Sequence, residues 1–252
     1  MSAISAISAI SAINALNTTN TSNTSSTTSA LNTSTTSTTS AVSLPLSASQ
    51  PAADPGSPPG GPPAVTAQAV LDFWFGQPAA AQPRAEWFRK DPAFDRSIAQ
   101  QFGTAIDAAL ATGLPAWGAG PEAALARIVV LDQFMRNVFR DTPRAFAGDA
   151  RALASARALV ASGDHLQLAP LQRWFVYLPF EHAESAAAQD ESMRLFGELA
   201  AQHPALADAQ QWAHKHQLII QRFGRYPHRN AVLGRLSTDE EQAFLREPAS
   251  SF

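Results

Sequence analysis

Three groups of polar residues fall where the surrounding pattern calls for apolar ones. The first is Asp132, Arg136 and Arg140, spaced i, i+4 and i+8 and so on one stripe of a helix, with Gln133 and Asn137 flanking them. The opposite arc, formed by Ile128, Val130, Leu131, Phe134, Met135, Val138 and Phe139, is apolar over about half the circumference. The polar stripe itself begins apolar, at Leu125 and Val129. A solvated face would carry Lys and Glu, and this one carries neither. Inside a fold, Arg and Asp must pair or meet a ligand, because an unpaired buried charge is very costly. Two readings stay open: an Asp–Arg ladder that tethers neighbouring helices, or one wall of a ligand cleft.

The second group is Glu181-His182-Ala-Glu184. On a helix expected over 181–202, Ala188, Leu195, Phe196 and Leu199 define the inner face. Glu181, Ser185 and Gln189 fall on that face, and His182 and Glu184 sit at its margins. A first-turn position suits carboxylates, since the positive end of the helix dipole lies there. That accounts for their place along the helix, but not for the inward direction of Glu181. In the next helix Trp212, His216, Ile219, Ile220 and Phe223 form one stripe, so His216 faces inward while His214 faces out. A core histidine with its hydrogen bonds met is the plain alternative for His216.

The third group follows that helix: Arg222-Phe-Gly-Arg225-Tyr-Pro-His228-Arg229-Asn230. Cations after a helix C-terminus complement its dipole and bind its last carbonyls, but one or two would suffice. Gly224 permits the turn and Pro227 stiffens it. A stiff loop carrying Arg225, His228, Arg229 and Asn230 is suited to forked contacts with carboxylate or phosphate. A histidine, His216 or His228, beside Glu181 or Glu184 would have the pKa range for acid–base chemistry. His216, His228 and Glu181 are therefore the catalytic candidates.

Other chemistries lack their parts. The chain has no Cys, which excludes disulfides, thiolate zinc sites and a cysteine nucleophile. There is no Gly-x-Ser-x-Gly elbow, phosphate loop or dinucleotide glycine pattern, so no cofactor is expected. Glu181, His182, Glu184 and His216 are suitable metal-ligand types, but the Glu-x-x-His spacing of di-iron bundles is missing and no metal is expected.

The elements that must position these groups read as helix after helix, with no period-two alternation. Thr66 caps a first helix running to Gly76. Asp91-Pro92 opens a second, to about Gly113. Gly120-Pro121 opens a third, ending near Arg140. A fourth spans about Phe146 to Ser162, and a short fifth runs from Pro170 to Leu178, stopped by Pro179. The sixth runs from Glu181 to about Gln202 and the seventh from about Ala205 to Phe223. Thr238-x-x-Glu241 is a capping box opening an eighth, to Arg246. Short connections imply antiparallel neighbours. No 34-residue helix-pair repeat is evident. The expected fold is all-α, an irregular array of antiparallel helix pairs.

The 252 residues carry a net charge of −3, with 45% hydrophobic and 15% charged residues. The low charge comes from residues 1–63, where Asp54 is the one charged side chain. Residues 2–13 are four Ser-Ala-Ile triplets, followed by a Ser/Thr/Asn tract and then a Pro/Gly stretch. Such sequence cannot bury enough apolar area to offset its ordering entropy, so a disordered tail is expected. The perfect triplets suggest repeat expansion or translation from a start upstream of the true one. All 18 basic residues lie between Arg84 and Arg246. A single domain is expected over 64–248, with 249–252 as a short tail. The balanced charge argues against nucleic acid, and no apolar run is long enough for a membrane span. The lack of an export pattern points to the cytoplasm.

From about Val70 to Leu245 the sequence resembles the bacterial proteins grouped as domain of unknown function 924. The resemblance rests on Val70-Leu-Asp-Phe-Trp-Phe75, Trp87-Phe88, Leu131-Asp-Gln-Phe-Met-Arg-Asn137 and Leu178-Pro-Phe-Glu-His-Ala-Glu184. It also rests on Arg222–Asn230, continuing to Leu233-Gly-Arg235. It implies an all-helical fold similar to the tetratricopeptide-like superfamily, and no particular reaction.

The residues thus suggest a cleft for a small anionic molecule. Its expected set is Asp132, Arg136, Asn137, Arg140, Glu181, His182, Glu184, His216, Arg225, His228, Arg229 and Asn230. The alternative is a peptide- or protein-binding helical scaffold in which these polar groups are structural ion pairs.

Overall fold

The computed structural model describes residues 64–80, 82–248 and 250. The tail expected over 1–63, and the end of the chain apart from Ser250, lie outside the described residues. The described part is all-helical, with no strand among the described residues.

The first two helices start where side chains meet their free N–H groups. Thr66 accepts the Ala69 N–H at 3.1 Å and opens α1 (Ala67–Phe75). Asp91 accepts from Ala93 and Phe94 and opens α2 (Pro92–Ala111), with proline in its first turn. These backbone donors hold the Asp91 carboxyl below the usual carboxylate range.

The third helix, α3, has three consecutive stretches: α-helical Pro121–Ile128, a π-helical turn Val129–Phe134, and α-helical Met135–Val138. A uniform helix to Arg140 was expected; the wide turn interrupts it, and the helix ends two residues earlier. Widened turns shift every later side chain around the axis. Here the wide turn contains Asp132. Helix α3 packs against α1, α2 and the helices over Asp149–Ala161 and Pro170–His182, and Leu125, Val129, Val130, Leu131, Phe134 and Met135 are all buried. It is therefore covered on nearly every side, as its composition demands.

Helix α4 covers Asp149–Ala161, after a 3-10 turn Pro143–Phe146. Its start is later than the expected Phe146, at a point of very close approach. A Cβ built on Gly148 would lie 2.2 Å from the Leu131 carbonyl oxygen, so only glycine lets this helix start sit against the π turn of α3.

Helix α5 covers Pro170–His182 and runs through Pro179, the expected stop. A proline inside a helix removes one backbone donor and strains the turn before it. Here the following turn is held from outside. Gln189 Nε2 donates to the carbonyls of Glu181 (2.8 Å) and Ala183 (2.9 Å), and the Tyr226 hydroxyl donates to the Glu181 carbonyl. The free carbonyls of a helix end are thereby satisfied by tertiary contacts, which local sequence could not reveal. Helix α6 then begins at Ala186 rather than Glu181, with Ser185 as its N-cap, and ends at Gln202. Helix α7 (Ala207–Phe223) packs along α6, and the Thr238–Glu241 capping box opens α8 (Asp239–Leu245) as expected.

The core is strongly aromatic. Trp74, Trp87, Phe134 and Phe175 are buried, and Trp74 contacts each of the other three rings with centroids 5.6–6.1 Å apart. Burial of each such side chain contributes about 1.5–3 kcal/mol. Trp87 Nε1 donates to the Trp74 carbonyl, so its polar edge is also met inside the core.

Candidate functional site

Two carboxylate–histidine pairs meet where α3, α5 and α7 converge. In the first, His182 Nδ1 donates to Asp132 Oδ1 at 2.8 Å. A carboxylate can only accept, so the proton is on Nδ1 and the lone pair of a neutral ring is on Nε2. Asp132 is 1% exposed and also accepts from Gln133 Nε2 at 2.6 Å, and Arg136 Nη1 lies 3.0 Å from its Oδ1. Burial alone would raise this carboxyl, but Arg136 and His182 override it and hold it well below the usual carboxylate range. In His182 the order is reversed: burial depresses the ring below the ordinary histidine value, against the pull of Asp132.

In the second pair His216 Nδ1 donates to the Trp212 carbonyl at 2.9 Å and lies 3.1 Å from Glu181 Oε1. Both side chains are buried. Burial, with the negative charge of Asp132 nearby, pushes the Glu181 carboxyl up to about 8. Burial pushes His216 well down, and the neighbouring His182 adds to this. Near neutral pH this is a neutral acid beside a neutral imidazole. The Glu181 Oε2 atom is buried and has no hydrogen-bond partner among the described residues. The two imidazole centroids are 6.1 Å apart, edge to face.

Two guanidiniums adjoin these pairs. Arg136 grips Asp149 with a two-pronged contact of 2.9 and 3.1 Å, and burial is outweighed there by its two carboxylate partners. Arg229 comes from the loop after α7, in the short turn Pro227–Arg229. Its side chain is 7% exposed, yet among the described residues its one side-chain hydrogen bond is a 3.4 Å contact to Asp149, and its Nε has no partner there. Its carbon centre sits 4.4 Å from the Tyr226 ring centroid and 4.8 Å from that of Phe146. Burial and the like charge of Arg136 weaken its hold on its proton. His228 packs beside Tyr226, and burial with Arg229 nearby pushes it down to about 4.

The remaining expected residues lie in separate ion pairs. Arg140 and Asn137 both turn to Asp95 of α2, Arg140 with contacts of 2.7 and 3.1 Å and Asn137 with one of 2.8 Å. Arg225 forks onto Glu241, which also accepts from Asn230 and the Thr238 N–H, so this set ties the loop to the start of α8. Glu184 is gripped by Arg235 at 2.6 and 2.9 Å and accepts the Tyr226 N–H. The structure thus brings together Asp132, Arg136, Glu181, His182, His216, His228 and Arg229. It places Asn137, Arg140, Glu184, Arg225 and Asn230 in tethers around them.

Glu181 and His182 occupy the last turn of α5, not the first turn of α6, so the dipole argument for Glu181 does not apply. Sequence reasoning missed Asp149, Phe146 and Tyr226. Asp149 reads as an ordinary first-turn acid, and nothing local shows that two arginines reach it. Tyr226 lies inside the loop motif, where its hydroxyl was a usable signal. Two surface depressions, of about 310 and 280 Å³, are lined by residues such as Arg157 and Phe180, and Asp72 and Gln172. Neither includes a member of the cluster. Access to the cluster is through its partly exposed edge, where the side chains of His182, Arg136 and Asp149 are 15%, 19% and 22% exposed. No grouping of three or more His, Asp or Glu suited to a metal ion occurs among the described residues. No helix among them is long and apolar enough to cross a membrane.

Comparison with known proteins agrees with this architecture. The chain is similar to the solved structure of a protein of unknown function, ATU0120, from Agrobacterium tumefaciens. The two share 37% sequence identity with a TM-score of 0.64, over 71% of this chain and 96% of that one. No curated protein matches the chain. Residues 70–249, which hold every member of the cluster, match the family described as bacterial protein of unknown function (DUF924), and the chain belongs to that family.

Proposed function

We propose that the cluster binds the anionic group of a small molecule, with Arg229 as the principal contact and Arg136 beside it. The observation that carries this reading is the state of Arg229. A guanidinium has five N–H donors, and burying it without partners is costly. Here a buried guanidinium makes one long hydrogen bond and leaves Nε unmet. Arg140, Arg225 and Arg235 are more exposed and each grips a carboxylate with two contacts of 3.1 Å or shorter. Arg173 is also buried with an unmet Nε but makes two contacts, of 2.7 and 3.1 Å, to His203 and Gln202, so Arg229 is the more poorly satisfied of the two. Burial favours the protonated form of Glu181, and a proton on its unmet Oε2 would supply a hydrogen-bond donor suited to an anionic oxygen. The other ion pairs then serve as the frame: Arg225 and Arg235 hold the loop after α7 against the start of α8 and the end of α5, and Arg140 ties the end of α3 to α2.

The peptide-scaffold reading has less support. Seven of the expected polar residues gather at one interior point, and the other five are tied up in ion pairs and hydrogen bonds around it. Peptide binding, the tetratricopeptide-like likeness and the cytoplasmic setting stay with the proposal as expectations.

The test is thermal unfolding of the full chain in inorganic phosphate or citrate, against sodium chloride at matched ionic strength. A ligand at 100 times its Kd stabilises by about 2.7 kcal/mol. The wild type should gain several degrees in Tm with one of these anions, and Arg229→Met should not. An equal gain in both proteins, or no gain in the wild type, overturns the reading.

A further inference from the structure

We propose that Asp132 and His182 form a general-base pair, with Nε2 of His182 as the atom that takes a proton from the bound molecule. The anion-site reading above supplies the substrate class, a small molecule bearing a carboxylate or phosphate; the base itself rests on separate observations.

Three observations carry it. The 2.8 Å contact from Nδ1 to the buried Asp132 carboxylate fixes both the tautomer and the orientation of the ring, leaving the Nε2 lone pair as its basic site. No described residue hydrogen-bonds Nε2, and that nitrogen is absent from the fully buried polar atoms that lack a partner. It therefore faces the partly exposed edge of the cluster. The carboxylate is also braced on both oxygens, by Arg136 and Gln133, so it cannot swing away from the ring. A carboxylate that orients an imidazole and stabilises the imidazolium formed on proton uptake is the arrangement a histidine base needs.

The sequence pointed to His216 and His228 for this role. The structure favours His182 instead. The Nδ1 proton of His216 goes to a neutral carbonyl and burial favours the protonated form of its neighbouring acid, Glu181, whereas Nδ1 of His182 meets a carboxylate held well below the usual range. His228 is depressed by burial and by the Arg229 charge beside it.

The step balances simply. An O–H or C–H bond of the substrate breaks, its proton goes to His182 Nε2, and its electron pair stays on the substrate atom. The resulting imidazolium faces the Asp132 carboxylate. Charge developing on the substrate is met by Arg229. His182 is the catalytic residue in this scheme; Asp132 acts through it and is a positioning residue.

The experiment is carbethoxylation of the full chain with diethyl pyrocarbonate, followed residue by residue with mass spectrometry across pH 5 to 8, with and without inorganic phosphate. His182 should react at a rate within about tenfold of the fully accessible His214, although its side chain is only 15% exposed. Asp132→Asn presents an amide donor to Nδ1, favours the wrong tautomer and should slow His182 tenfold or more while leaving His214 unchanged. Should that variant not fold, the nitrogen-15 shifts of His182 in the wild type decide the matter. A neutral ring protonated at Nδ1 is expected, and protonation at Nε2 overturns the proposal. An unreactive His182, or equal rates in the wild type and Asp132→Asn, also overturns it. Phosphate should protect His182 in the wild type but not in Arg229→Met. Reactivity that depends on Asp132 but ignores phosphate, with no Tm gain in phosphate or citrate, would keep the base and remove the anion-site reading.

Discussion

Arg136 and Arg229 reach one carboxylate, that of Asp149. Arg136 holds it with two contacts of 2.9 and 3.1 Å, and Arg229 touches it with one of 3.4 Å. The two arginines come from α3 and from the loop after α7, and both stand over the Phe146 ring, at 5.7 and 4.8 Å. One acid therefore answers two buried or half-buried cations, and the geometry shows which of them it serves.

This asymmetry separates the two arginines in stability. Removing Arg136 leaves the fully buried Asp132 and half of Asp149 short of a counter-charge. Arg136→Met should cost about 3–5 kcal/mol, the usual effect of breaking a buried pair. Arg229→Met removes a poorly satisfied buried charge and keeps the apolar contacts to Phe146 and Tyr226. It should change stability by less than about 1 kcal/mol in either direction. Urea unfolding of the two variants gives the comparison, and equal losses would contradict this account.

A second prediction concerns the joint that brings Asp149 to the arginines. Gly148→Ala places a methyl group 2.2 Å from the Leu131 carbonyl oxygen, a backbone atom that cannot turn aside. The start of α4 must move away from the π turn. A loss of about 1–3 kcal/mol is expected from such overpacking. The Tm gain in phosphate should fall with it, because Asp149 and Phe146 both move. Wild-type stability in Gly148→Ala would show that the contact is looser than described.

The pH dependence of stability has a sign set by Glu181. Its folded pKa of about 8 lies above the ordinary value of 4.5, so the folded chain keeps a proton that the unfolded chain has released. Stability must fall as pH rises between those values. His182, His216 and His228 are depressed and act in the opposite sense below their ordinary value of 6.5, where the unfolded chain binds the extra protons. The unfolded chain's histidines go on releasing protons for about a unit above 6.5, so it is the difference between the wild type and Glu181→Gln across pH 6.5 to 8 that isolates Glu181. Across that range the wild type should lose stability relative to Glu181→Gln, whose own curve carries the histidines alone. Isothermal urea titrations at pH 6.5, 7.25 and 8 read the difference; parallel curves would mean that the carboxyl is not protonated in the fold.

The peripheral pairs should behave as frame alone. Arg225→Gln breaks the fork onto the buried Glu241 and should lower the urea midpoint measurably, because Glu241 loses its charged partner. Arg140→Gln should weaken the link to Asp95 by a smaller amount, since both side chains there are partly solvated. In both variants phosphate should still protect His182 from carbethoxylation. Loss of that protection in Arg225→Gln, with the fold intact by circular dichroism, would bring Arg225 into the site.

Much of the fold was legible in the chain. Thr66, Asp91-Pro92 and the Thr238–Glu241 box mark helix starts because caps are local chemistry between residues a few positions apart. The wrong-face polarity of Asp132, Glu181 and His216 was legible too, since helical periodicity alone projects them inward. Caps and helical periodicity alone thus establish an all-helical body and a short roster of polar residues turned toward its interior. Tertiary structure decided the rest. It carried α5 through Pro179, because Gln189 and Tyr226 answer carbonyls far from them in the chain. It divided one roster into a shared cluster and separate tethers, and it chose His182 over His216 as the oriented imidazole. Each of those outcomes turns on which partner a buried polar group finds across the fold, and no periodicity along one helix carries that information.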